Sequence, residues 1–191
     1  SLGWPAEPTF LVPDEARTPF EEARRRGQQQ EQEWNDLLRR YREAHPDLGA
    51  DLETRLANRL PEGWDADIPS FSPDDKPIAT RAASGKVLNG IAPRLGMLVG
   101  GSADLTPSNN TQVQGRGDFS AAQAEGLYLR FGVREHGMGS IMNGMALSRL
   151  WIPYGGTFLI FSDYMRPPVR LAALMRLQTI YVYTHDSIFL G

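Results

Sequence analysis

From Lys76 onward the chain alternates short apolar runs with amphipathic stretches, and this alternation restricts the fold more than any other feature. Met97 to Gly100 is a short apolar run, read as a strand. Tyr128 to Val133 reads as a second strand. Ile152 to Ile160 reads as a third, broken by Gly155-Gly156, and Thr179 to Thr184, β-branched and aromatic, as a fourth. Helices are expected between them. Thr80 should cap one that runs to about Leu95. Glu135 to Leu150 carries Met138, Ile141, Met142, Met145 and Leu150 in a helical stripe. Ser162 to Leu177 is a third helix, with Pro167-Pro168 confined to its first turns because proline lacks the N–H that later turns need. Parallel strands need long crossovers, so strands alternating with helices imply a parallel sheet. Ligands then bind outside the carboxyl ends of the strands. The expected fold class is α/β, a parallel sheet with flanking helices, preceded by a helical arm.

The arm differs sharply in composition. From Asp14 to Glu43, 15 of 30 residues are charged, with the signs nearly balanced. Thr18-Pro19-Phe20-Glu21 reads as a helix start: Thr18 caps, Pro19 takes the first helical position and Glu21 completes a capping box. The helix should run to about Ala44, because Pro46 restricts the residue before it. Trp34, Leu37, Leu38 and Tyr41 form a thin apolar face that needs a partner surface. Arg24-Arg25-Arg26, flanked by acids, reads as a solvated face. A second short helix is expected from Ala50 to Leu60, and Pro61 to Pro77, rich in Pro, Asp and Ser, reads as a linker.

Whole-chain properties exclude several classes. There is no cysteine, so disulfides and Cys-ligated zinc or iron–sulfur centres are ruled out. The net charge of -3 disfavours a nucleic-acid binder, which normally shows a basic excess. No apolar run approaches the roughly 18 to 20 residues a bilayer span needs. The first residues show neither an initiator Met nor the basic and apolar regions of a signal peptide, and both ends read as cut from something longer.

Four segments carry chemistry. Gly100-Gly101-Ser102-Ala103-Asp104-Leu105-Thr106-Pro107-Ser108-Asn109 follows a strand, and its glycines permit a tight turn or close approach of a ligand. A merely well-capped turn would look the same. Gly132-Val133-Arg134-Glu135-His136-Gly137-Met138-Gly139 lies at a strand-to-helix junction, where the macrodipole favours a carboxylate at Glu135. The plainer alternatives are a Glu135–Arg134 pair and a structural His136. Gly137 and Gly139 weaken the helix start, by about 1 kcal/mol each relative to Ala, which points to close approach of a backbone or ligand. Phe158, Phe161 and Tyr164 recur every third residue, either as core or as an aromatic platform for a flat heterocycle. Thr184-His185-Asp186-Ser187 ends the last strand, where α/β proteins place ligand contacts.

Taken in order, Gly-Gly-Ser-Ala-Asp-Leu-Thr-Pro-Ser-Asn, Arg-Glu-His-Gly-Met-Gly-Ser-Ile-Met-Asn-Gly-Met-Ala, Gly-Gly-Thr-Phe-Leu and Thr-His-Asp-Ser-Ile resemble the transketolase family. The likeness assigns residues 77–191 to the pyrimidine-binding domain of a thiamine-diphosphate-binding fold, incomplete at its C-terminus. Residues 1–45 resemble the tail of the diphosphate-binding domain and 46–76 the linker. The resemblance implies thiamine-diphosphate-dependent transfer of a two-carbon ketol unit from a ketose phosphate to an aldose phosphate. It implies that Glu135 bonds the aminopyrimidine N1′ and that Phe158, Phe161 and Tyr164 hold that ring. Asp104 matches a residue near the cofactor at the subunit boundary, with Leu105 packing beside it. Arg81 and Ser108 match the pair that grips the donor's phosphate, and His185 matches a substrate-hydroxyl contact.

The family's Gly-Asp-Gly…Asn motif is missing, and Gly115-Arg116-Gly117-Asp118 does not replace it. Ligands for Mg2+ or Ca2+ are therefore expected on a diphosphate-binding domain outside this chain. That domain would come from a second subunit of a homodimer or from a companion chain in a split-subunit assembly, in the cytoplasm and the pentose phosphate pathway. Phe189 stands where many members have Gly, which puts the local loop shape in question. The alternatives are a thiamine-diphosphate enzyme of the dihydroxyacetone synthase or deoxyxylulose-phosphate synthase type, or a non-catalytic assembly module.

Overall fold

The computed structural model describes residues 3–5 and 7–186, and the chain forms two compact units, Ser1–Asp51 and Leu52–Gly191. In the first unit, α1 (Asp14–Ala44) starts four residues before the expected Thr18. The Pro13 carbonyl accepts from both Ala16 N and Arg17 N at 3.0 Å. Asp14 and Glu15 in the first turn complement the positive end of the helix dipole. Thr18 is therefore interior: its hydroxyl donates to the Asp14 carbonyl at 2.9 Å, and no capping box with Glu21 forms. No residue of α1 is buried, and Trp34 is 56% exposed.

Helix α2 (Pro46–Leu56) also begins earlier than its apolar pattern indicated. Pro46 occupies the first helical position, where a missing N–H costs nothing. Residues 57–79 contain turns and no helix or strand. Helix α3 (Thr80–Ile91) follows, with Thr80 as its first helical residue rather than its cap, and a short 3-10 turn covers Ala92–Arg94.

The second unit is built on four strands, β1 (Leu98–Ser102), β2 (Tyr128–Arg130), β3 (Ile152–Phe158) and β4 (Ile180–Thr184). They lie in the order β2-β1-β3-β4 and all three pairings are parallel, as the alternation predicted. All five residues of β1 are buried, as expected for a central strand covered on both faces. The links between strands hold α4 (Thr106–Asn109), α5 (Glu135–Leu147) and α6 (Ser162–Met175).

Gly155-Gly156 does not break β3, contrary to the sequence reading. A Cβ on Gly155 would lie 2.5 Å from the Met142 sulfur, and one on Gly156 would lie 2.5 Å from the Thr111 methyl. These glycines admit close neighbours on opposite faces of a continuous strand. Gly100 and Gly101 likewise sit inside β1 rather than in a turn, tight against Tyr154 and the Leu129 carbonyl.

The core has two parts. Leu95, Leu98, Val113, Ile152 and Tyr154 form one, with Trp64, Leu88 and Ile91 packed against it. Phe131, Met138, Met142 and Met165 form the other. The predicted α5 stripe narrows to Met138 and Met142, since Ile141 is 49% exposed and Leu150 lies beyond the helix. Gly139 lets the Pro168 ring approach α5, and Asn143 Nδ2 donates to the Pro168 carbonyl at 2.9 Å. The approach foreseen at Gly139 is thus that of a proline ring.

Candidate active site

The carboxyl ends of three strands deliver the site. After β1 the chain turns through Ala103-Asp104-Leu105, with Asp104 held at φ 65°. After β2 it passes Gly132, at φ 66°, into the first turn of α5. After β3 it tightens into a 3-10 turn, Leu159–Phe161, that runs straight into α6. Between these three ends lies a cleft of about 490 Å³. Asp104, Leu105, Val133, Glu135, Phe161 and Tyr164 are among the residues that line it.

Glu135 is the first residue of α5 and only 7% exposed. Arg134 does not pair with it: Arg134 Nη1 donates instead to the Phe131 carbonyl at 2.9 Å. Among the described residues no ion pair or hydrogen bond reaches the Glu135 carboxyl, although the side chain lines the cleft. His136 is exposed and lines the same cleft.

The three-residue spacing of Phe158, Phe161 and Tyr164 has a structural cause. A 3-10 turn has three residues per turn, so side chains at i and i+3 align. Phe158 and Phe161 stack with centroids 6.1 Å apart, and Phe161 and Tyr164 with centroids 6.2 Å apart. His185 meets Phe158 edge-on at 4.4 Å. An aromatic row therefore runs from His185 to Tyr164, although Phe158 and His185 do not line the cleft themselves. Among the described residues, no hydrogen-bond partner reaches the buried His185 Nδ1 or Thr157 Oγ1.

Arg81 and Ser108 are half-buried near the start of α3 and within α4. Neither lines the cleft. Arg116, in the segment that does not replace the diphosphate motif, donates to the carbonyls of Leu98, Ala92 and Leu95. Asp118 is paired with Arg130 at 2.6 Å. Both residues are thus tied into the fold. Phe189 lies outside the described residues.

Sequence reasoning missed a buried polar network behind the cleft. Thr184 Oγ1 donates to Asn109 Oδ1 at 2.6 Å, and Asn109 Nδ2 donates to Ser102 Oγ at 3.2 Å. Ser102 and Thr111 hydroxyls share a 2.7 Å bond, and Tyr128 OH bonds Thr111 at 3.1 Å and Thr106 at 2.7 Å. The network ties β1, β2 and β4 to α4. Its one visible signal was a polar residue at the end of an apolar strand, at Ser102 and Thr184.

The donor set suits a flat nitrogen heterocycle. Leu105, Val133, Phe161 and Tyr164 give the cleft apolar and aromatic walls, and the buried Glu135 carboxyl has no partner among the described residues. That is the complement of an aminopyrimidine, which offers two faces and ring nitrogens.

Residues 76–191 match the family model described as transketolase, pyrimidine binding domain, and residues 1–61 match transketolase, thiamine diphosphate binding domain. The chain is 49% identical over 190 residues to the transketolase of Aquifex aeolicus, covering 100% of this chain and 27% of that protein. It is 46% identical over 192 residues to the transketolase of Bacillus subtilis, covering 100% and 29%. The crystal structure of Pichia stipitis transketolase in complex with sedoheptulose 7-phosphate superposes with a TM-score of 0.86 at 45% identity, covering 95% of this chain and 28% of that one. The chain thus spans under a third of the length of the curated relatives it matches. With both family models matched, and identity of this level along the whole of this chain, the chain belongs to the transketolase family.

Proposed function

We propose that the chain supplies the aminopyrimidine-activating half of a transketolase site, in an assembly that moves a two-carbon ketol unit between sugar phosphates. The observation that carries this reading is Glu135, whose buried carboxyl lines an aromatic cleft and has no partner among the described residues. Bound thiamine diphosphate would supply the nucleophilic thiazolium carbon for the transfer. Glu135 would hold a hydrogen bond, and the proton in it, at N1′ of the aminopyrimidine. Its position in the first turn of α5 would fix the backbone from which it reaches the ring. Phe161 and Tyr164, with Phe158 behind them, would cover the ring, and Leu105 and Val133 would keep water from it.

His185 would contact a substrate hydroxyl, and its buried Nδ1, which has no hydrogen-bond partner among the described residues, supports a role for an outside group. Arg81 and Ser108 would grip the donor's phosphate through a charge-assisted bond and a hydroxyl. Asp104 would lie near the cofactor at a subunit boundary. Among the described residues no cluster of three His, Asp or Glu side chains is placed to hold a metal. Mg2+ or Ca2+ and the diphosphate would be held by a diphosphate-binding domain of a second subunit or companion chain, in a homodimer or split assembly in the cytoplasm. Residues 1–45 would be the tail of such a domain, 46–76 the linker and 77–191 the pyrimidine-binding domain.

The test is Glu135→Gln in the complete assembly. Ketol transfer from xylulose 5-phosphate should fall by about 100-fold or more, the size expected when a proton-holding group is lost. Unchanged transfer would refute the assignment. Turnover of pyruvate or dihydroxyacetone in place of xylulose 5-phosphate would move the chain to a different thiamine-diphosphate chemistry.

A further inference from the structure

At the other end of the sheet, where β1, β3 and β4 begin and α5 and α6 end, lies a second cleft of about 660 Å³. Arg55, Arg59, Arg149 and Arg176 line it, and no carboxylate does. Arg55 is engaged: Nη1 donates to the Leu150 carbonyl at 2.9 Å, and its guanidinium lies 5.1 Å over the Trp151 ring. The other three are exposed, and among the described residues their side chains have no hydrogen bond, ion pair or ring contact.

Two of these arginines stand where the backbone favours glycine. Arg149 has φ 62° and Arg176 has φ 54°. A left-handed conformation is uncommon for a long side chain, and glycine would adopt it without the steric penalty. Ending the helices does not require arginine there. Ser148 N bonds back to the Gly144 and Met145 carbonyls, and Leu177 N bonds to Ala172 O at 2.9 Å. Main-chain groups make those caps whatever side chain is present. Four like charges around one cleft raise its positive potential, which favours an anion.

We infer that this cleft is a second ligand site, separate from the one at Glu135, and that it binds a small phosphorylated anion. Guanidinium forks match phosphate oxygens bidentately, and three of them stand here with no partner among the described residues. The volume is that of a small-molecule site, within roughly 300 to 1,000 Å³. The inference does not depend on the reaction proposed for the first cleft.

The test uses inorganic pyrophosphate as probe, titrated calorimetrically into the purified protein and into an Arg149→Gly/Arg176→Gly double variant. Glycine suits both backbone positions, so the variant should fold with an unchanged or higher thermal midpoint. Its affinity for pyrophosphate should drop at least tenfold. Arg59→Gln, at a position outside the left-handed region, should weaken binding about threefold. Equal affinity in the wild type and the double variant would overturn the inference, as would no binding to the wild type at all.

Discussion

Glycine shows how one residue type serves two ends. Gly101 and Gly155 both stand inside strands, yet what surrounds them differs. A Cβ on Gly101 would collide with the Leu129 carbonyl, part of the neighbouring strand's backbone. A Cβ on Gly155 would meet the Met142 sulfur at 2.5 Å and the Met138 sulfur at 2.9 Å, both in flexible side chains. Gly101→Ala should therefore cost about 3 kcal/mol and Gly155→Ala about 1 kcal/mol, the two ends of the usual overpacking range. Chemical denaturation of the two variants checks the order, and equal costs would contradict it. At this scale the sequence marked the right residues and misassigned their purpose, because permissiveness in a turn and tolerance of a close neighbour come from the same missing side chain. Glu135 was legible for the opposite reason: a carboxylate at a strand-to-helix junction has a local electrostatic cause.

Elements were legible in kind and less so in extent. Each of the four strands and three helices expected after Lys76 exists, because burial on one or two faces imposes a period on the sequence. Their ends follow from single groups that the period does not report. Pro13 and Pro46 stand at the starts of α1 and α2, and Pro19 is carried inside α1. The start of β1 depends on Arg116, 18 residues away from Leu98, whose carbonyl it bonds along with those of Ala92 and Leu95. Burial lowers the pKa of this guanidinium, which sits among carbonyls with no carboxylate bonded to it. Arg116→Met should cost about 2 kcal/mol, since bonds from a charged donor are lost while each carbonyl keeps its main-chain partner or solvent. In a chain of this length that lowers the thermal midpoint by roughly 4 to 8 °C. A midpoint unchanged within error would show that the three bonds are not formed in solution.

For the whole molecule, the first cleft holds Glu135 and the aromatic side chains, and the described residues include no three-ligand metal cluster. The proposed half-site therefore makes a clear prediction. The purified 191-residue chain should show no measurable ketol transfer, and adding a companion that carries a diphosphate-binding domain should produce it. Turnover by the chain alone, with no companion in the sample by intact mass, would show that it holds a full site.

The sequence by itself determined the parallel α/β class, the placement of Glu135 at the start of a helix and the three-residue beat of Phe158, Phe161 and Tyr164. Each of these arises from contacts within a few residues, through backbone sterics, helix dipoles and side-chain period. Only the tertiary structure decided which strand ends meet. The strand order β2-β1-β3-β4 brings Asp104, Glu135 and Tyr164 to one cleft and joins Thr184 to Asn109 across 75 residues of chain. It also gathers Arg59, Arg149 and Arg176, unrelated in sequence, at the opposite end of the sheet. Such meetings depend on how the sheet is ordered, and no local period in the chain records that order.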